Sequence, residues 1–239
     1  MLPRNALVIV TILACAPLFA AEEEEAKSPW DGKATLGYLA TSGNTENSNL
    51  NSGLEVGYTV DSWRHRMIAK AINATEDQAT TAESYEWGWK SEYNFSENNY
   101  AFGRLNWRKD RFSGYDEQFS QTVGYGRRLI DAEKHQLNAE VGAGARQSDL
   151  SDGTSEDEVI FRGGVDYKWK ISDSAEFRQD FVVESGGENT YLESVTALSA
   201  KVIGGIALVA SYTIKNNSEV PVGTEKTDTH TALSLEYVW

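Results

Sequence analysis

From residue 30 to the last residue, apolar and polar side chains alternate with a period of two, and a helical period of 3.6 is nowhere sustained. Successive side chains of a strand point to opposite faces, so this pattern dictates strands with one apolar and one polar face. The clearest run sets Leu50, Leu54, Val56, Tyr58 and Val60 against Asn49, Asn51, Glu55 and Thr59. A second sets Tyr85, Trp87, Trp89 and Tyr93 against Glu86, Lys90, Glu92 and Asn94. Leu137, Ala139, Val141 and Ala143 oppose Asn138, Glu140 and Gly142, and Val159, Phe161, Val165, Tyr167 and Trp169 oppose Arg162, Asp166 and Lys168. A half-buried sheet of a soluble protein alternates too. Length and number of strands decide between the two.

The pattern predicts twelve strands, at about 33–41, 46–60, 63–74, 82–95, 100–112, 116–130, 135–147, 158–170, 175–185, 190–201, 206–215 and 227–239. Most meet or exceed the roughly 9–11 residues that a tilted strand needs to cross a bilayer. Their connections alternate in character. Asp61-Ser62, 96–99, 131–134, 171–174 and 202–205 are short, whereas 41–45, 75–81, 113–115, 148–157, 186–189 and 216–226 are read as outer loops. An even number of strands with short turns at one end and longer loops at the other is the layout of an outer-membrane barrel. The expected fold class is therefore all-β, an antiparallel transmembrane β-barrel of twelve strands over residues 30–239, with both termini on the periplasmic side. The rival is a soluble periplasmic β-protein that buries its apolar face against a second sheet. Strands of 11–15 residues are long for that. After residue 20 the prolines are Pro29 and Pro221, both outside every predicted strand.

The first residues differ in kind. Arg4 supplies a positive start, Ala6 to Leu18 is almost wholly apolar, Ala20 and Ala21 are small, and Glu22 to Glu25 are acidic. This order is that of a secretory signal, residues 1–20, followed by an acidic periplasmic segment, 21–29. Ile12-Leu13-Ala14-Cys15 loosely resembles a lipoprotein cleavage box, in which Cys15 would be lipidated. If cleavage follows Ala20, the exported chain holds no cysteine, and thiol chemistry drops out. No later stretch approaches the roughly 18 apolar residues of a helical span, and the mean hydropathy is −0.47. Without residues 1–20 the chain carries 21 basic and 36 acidic residues, a net −15. Such a charge does not suit nucleic acid. With 7 Trp, 11 Tyr and 8 Phe, it does not suit disorder either.

The aromatics suggest two interfacial girdles. Trp63, Tyr93, Phe95, Tyr100, Phe102, Trp169, Phe177 and Trp239 fall near short turns, and Tyr38, Tyr85, Trp87, Phe112, Phe119, Phe161 and Tyr191 toward the loops. The last strand carries Leu233, Leu235, Tyr237 and Trp239 on one face and ends on the aromatic. This resembles the C-terminal signature read by the outer-membrane assembly machinery. Gly37-Tyr-Leu-Ala-Thr-Ser-Gly-Asn-Thr-Glu46 running into Leu50-Asn-Ser-Gly53, with the closing Thr227-Asp-Thr-His-Thr and Leu235-Glu-Tyr237, resembles the YdiY-like family of salt-induced outer-membrane proteins. The resemblance implies a barrel in the cell outer membrane and a link to salt or osmotic response. It implies no substrate and no catalytic residue. In Ser42-Gly43-Asn44, glycine and asparagine suit a tight turn.

Within such a barrel the polar face points inward. The lumen-lining candidates are Glu55, Glu86, Lys90, Glu92, Glu140, Arg162, Asp166, Lys168, Arg178, Asp180, Glu184, Asp228, His230 and Glu236. They carry both signs, so they can line a water-filled passage or pair into a closed network. The first reading is a porin-like channel for ions or small solutes. The second is a structural or cation-bridging barrel with a closed lumen, whose acidic segment from Ser148 to Glu158 shares cations with lipopolysaccharide. The third is an outer-membrane hydrolase, for which Asp228 and His230 share a strand face and Ser211 or Ser234 would be the nucleophile. Neither serine has a supporting motif. His65 and His135 sit beside short turns. The expectation is a non-enzymatic protein with no catalytic residues, no cofactor and no metal. Its partners would be outer-membrane lipid, lipopolysaccharide and the assembly machinery; its oligomeric state is open.

Overall fold

A computed structural model describes residues 28–41, 47–76, 79–111 and 113–239. The strands are β1 (Trp30–Thr41), β2 (Asn47–Val60), β3 (Trp63–Glu76), β4 (Ala79–Asn94), β5 (Asn99–Asp110) and β6 (Tyr115–Asp131), then β7 (His135–Leu150), β8 (Ser155–Lys170), β9 (Ala175–Ser185), β10 (Thr190–Ile203), β11 (Ile206–Asn217) and β12 (Thr227–Val238). Each pairs antiparallel with its chain neighbours, and β1 pairs with β12, so these twelve strands form one closed barrel. Closure satisfies the backbone groups that an open edge would leave bare in hydrocarbon. The closing seam is the sparsest. It has four paired positions, Lys33–Leu36 with Val238–Leu235, whereas β1 and β2 share twelve. Two backbone bonds between Gly32 and Trp239, 3.2 and 3.1 Å, finish it at the end where β1 begins and β12 ends.

The alternation read from the sequence sorts the side chains as expected. Val123, Val141, Val159 and Phe161 face outward with 63–69 % of their surface exposed. A girdle circles the short-turn end: Trp30 lies 4.5 Å from Tyr58, Trp63 5.0 Å from Tyr93, Phe95 6.3 Å from Tyr125, and Tyr237 5.9 Å from Trp239. His65 and His135 join this belt, with ring centroids 5.8 Å from Trp63 and 6.0 Å from Trp169.

Two expectations change. Tyr100, Phe102 and Tyr191, read as girdle residues, point inward and keep only 2–4 % of their surface. The reason for the first two is a stripe of glycines on the inner wall. Gly126 leaves room under the Tyr100 ring, and Gly124 under Phe102. Second, 75–81 and 148–157 are not long loops. β3 runs to Glu76 and β4 starts at Ala79, while β7 and β8 extend to Leu150 and from Ser155, leaving a four-residue turn. Backbone pairing does not need an apolar face, so the ladder continues past the last lipid-facing residue. At that tip, Asp149 and Asp152 accept hydrogen bonds from within the hairpin. Ser155 donates to Asp149 (2.7 Å), and the Thr154 N–H and hydroxyl donate to Asp152 (2.9 and 2.6 Å). The hydroxyl bond, with the backbone bond behind it, holds the Asp152 carboxyl below its ordinary range. The segment 1–20 with Cys15, most of 21–29, the turn Ser42-Gly43-Asn44 and Phe112 lie outside the described residues.

Because Val141 sits near the middle of β7 on the lipid face, Val141→Arg is expected to cost about 2–4 kcal/mol of folding free energy. The same arginine at Ser199, which lines the lumen, should cost far less. Reversible folding into liposomes measures both. Equal losses would contradict the assignment of faces.

Candidate functional site

Charged side chains are costly in hydrocarbon, so the alternation delivers them to the interior, where they meet across the barrel. All fourteen candidates read from the sequence lie on the inward face. Twelve line one or both of two cavities, of about 420 and 690 Å³. The larger reaches the rim at the short-turn end, where Ser172–Ala175, Gly204 and Gly205 border it. The smaller lies further along, walled by Lys70, Glu86, Glu193, Lys215 and His230. They share Lys33, Glu55, Arg66, Lys90, Arg104, Asp166, Arg178, Asp180 and Glu236 as common wall.

Ion pairs brace this wall. Lys33 bridges Glu55 (3.2 Å) and Glu236 (3.6 Å), and Arg66 also binds Glu55. Lys90 binds Glu140 directly and lies 2.8 Å from Glu92, while Tyr100 donates to Glu140 at 2.8 Å. The Lys90 ammonium lies 5.3 Å from the centroids of both Tyr100 and Phe102. Those two rings, seated over glycine, give Lys90 an aromatic floor.

Glu184 and Asp228, the remaining two candidates, border neither cavity. Glu184 is the centre of a buried knot. It accepts from Arg162 (2.8 Å) and Arg108 (3.2 Å) and lies 3.8 Å from Arg146. Arg146 is fully buried and binds Glu158. The Arg108 guanidinium stacks 3.9 Å from the Tyr191 ring centroid. Arg108 belongs to β5 and Glu184 to β9, so this contact crosses the lumen. Lys215 and Asp110 come within 3.9 Å from β11 and β5, which stand on opposite sides of the barrel. Above the knot, the segment after β11 folds inward: Tyr115 donates to the Glu219 carbonyl (2.9 Å), and Asn189 donates to Asn217 (2.8 Å). The loop-end half is therefore narrowed on its β5–β9 side, and the smaller cavity, which Arg162 borders, runs beside that knot.

The hydrolase constellation does not assemble. Ser211 and Ser234 face the lumen, and Ser234 donates to Asn51 at 3.1 Å. Among the described residues, neither hydroxyl bonds to a histidine or a carboxylate. Asp228 and His230 pair in register with Lys215 and Thr213. Nor do the described residues contain a group of three His, Cys, Asp or Glu placed to hold a metal ion.

Several residues of the site were not singled out from the sequence: Lys33, Arg66, Arg104, Arg108, Arg146, Glu158 and Lys215. The signal existed. Arg104 and Arg108 share the parity of Tyr100 and Phe102, and taking those aromatics for lipid-facing hid the polar face of β5.

Residues 34–239 match the family described as "protein of unknown function, DUF481". The chain is 33 % identical over 213 residues to the uncharacterized protein YdiY of Escherichia coli (strain K12), covering 89 % of this chain and 84 % of that one. Its fold is similar to an outer-membrane channel from Pseudomonas putida F1, with TM-score 0.55 at 10 % identity over 93 % of this chain and all of that one. It is also similar to the translocator domain of the autotransporter NalP from Neisseria meningitidis, with TM-score 0.51 at 11 % identity over 89 % of each chain.

Removing the carboxylate at the centre of the knot leaves three guanidiniums facing one another in a buried interior. Glu184→Ala is therefore expected to lower the unfolding free energy by about 3–5 kcal/mol. Urea titration of the barrel in lipid measures it. A loss below about 1 kcal/mol would mean that Arg108, Arg146 and Arg162 do not depend on Glu184.

Proposed function

Because the chain belongs to the DUF481 family, with YdiY as a relative, we propose that it is an outer-membrane barrel serving as a narrow, non-enzymatic passage for ions and small solutes. The carrying observation is the pair of cavities with a common charged wall, the larger open to the rim at the short-turn end. That end, with the start of β1, the end of β12 and the tight turns, is the periplasmic one in this reading. The outward apolar face meets lipid, and the loop end meets lipopolysaccharide.

The wall explains why a passage here would be selective rather than wide. A barrel of this size lies between those filled by side chains and the 16–18-stranded ones with open channels. Long charged side chains reach inward, and two of their contacts, Arg108 with Glu184 and Lys215 with Asp110, cross the barrel. The acidity of the chain does not extend to this wall: the nine shared residues are five cations and four carboxylates. Solutes would therefore meet both signs of charge on this wall.

The test is single-channel conductance of the purified, heat-modifiable protein in a planar bilayer. Discrete steps are expected. Arg108→Ala, which removes the arm crossing from β5 to β9, should enlarge the steps. Silence from correctly folded protein would contradict the passage and favour a closed structural barrel.

A further inference from the structure

The β8–β9 hairpin presents a ladder of directly opposed charges to the lumen. From the short-turn end the rungs are Lys170 with Glu176, Lys168 with Arg178, Asp166 with Asp180, Gly164 with Val182, and Arg162 with Glu184. The first and last are opposite-charge pairs, and Arg162 and Glu184 are bonded at 2.8 Å. The two charged rungs between them are like-charge pairs of opposite sign. Like charges directly opposite each other destabilise a sheet. Exchanging one residue between the rungs would make both attractive, so the arrangement works against stability.

Three of the four groups have no salt bridge elsewhere among the described residues. Among the described residues, Asp166, Lys168 and Asp180 have no ion-pair partner within 4.0 Å, and Arg178 reaches only Glu236, at 3.9 Å. The Arg178 Nε is buried without a hydrogen-bond partner. Asn138 donates to one oxygen of Asp166 (2.7 Å) and fixes that carboxylate. All four line the cavity of about 690 Å³, within the size range of small-molecule sites. Rungs two residues apart are separated by about 6.7 Å along the strand.

We propose that these rungs form a binding site for a zwitterionic solute, with its ammonium on Asp166 and Asp180 and its carboxylate on Lys168 and Arg178. A dipolar ligand turns both repulsive rungs into bridged ones, which a lone cation or anion cannot do. The site deepens the passage reading, since it takes the lumen as accessible to solute and names the class.

Isothermal titration of the folded barrel with glycine, 4-aminobutanoate and 5-aminopentanoate tests this. The two longer probes, whose charges stand several ångströms apart, are expected to bind saturably and about tenfold tighter than glycine, as loss of one charge-assisted contact would imply. Lys168→Gln and Asp180→Asn should each weaken them about tenfold. The double variant K168D/D180K makes both rungs opposite-charge pairs at unchanged net charge. It should raise the unfolding temperature and abolish binding. The absence of saturable binding to the parent barrel, or binding retained by the folded double variant, would overturn the site. So would methylammonium and acetate matching the zwitterions. Conductance of the same samples separates the two readings: conduction without binding overturns the site alone, and binding without conduction overturns the passage alone.

Discussion

Hydrocarbon offers no hydrogen-bond partner, and a sheet placed in it must leave no edge. The other features of this chain follow from that demand. Twelve strands close on one another, β1 meets β12, and the terminal Trp239 is drawn back to Gly32. Once the sheet is closed, the two-residue period of the pleat leaves each side chain one of two fates. Leucine, valine and the aromatics of one parity face lipid, and the charges of the other parity are confined together inside. The ionic interior is thus a consequence of closure as much as a functional device.

Confinement then has to be resolved pair by pair, and the barrel resolves it in two ways. On the β5–β9 side of the loop-end half, Glu184 gathers Arg108, Arg146 and Arg162 into a buried knot that crosses the lumen. Toward the short-turn end the charges stay apart around open volume, braced by Lys33, Arg66 and Lys90. The like-charge rungs of β8 and β9 border this open volume, where water and solute would screen their repulsion. A site placed there can hold charges that the knot could not.

The fold was legible because the alternation is strict where both faces are constrained. In β8, Val159, Phe161, Val165, Tyr167 and Trp169 leave no doubt about which residues face inward. In β5 the pattern misleads. Tyr100 and Phe102 share a face with Arg104 and Arg108, because glycines on β6 give inward aromatics a place to lie. Strand ends were read short at 75–81 and 148–157 for a related reason: the apolar signal stops at the edge of the lipid, while the ladder does not. The site was legible as a list but not as an arrangement. That Glu184 belongs with Arg108 and Arg146 depends on which strands face each other across the barrel. The like-charge rungs depend on a register that one residue of slip would have destroyed.

Passage and binding site both require that the even-numbered residues of β8 and β9 face a water-filled lumen. Single cysteines introduced along both strands, in chain lacking Cys15 and reconstituted in liposomes, test it with a charged, membrane-impermeant thiol reagent. Positions 164, 166, 168, 178 and 180 are predicted to react, and 165, 167, 177 and 181 to remain unmodified. Protection of both sets would mean a dry, closed interior, and the opposite alternation would mean that the faces are inverted.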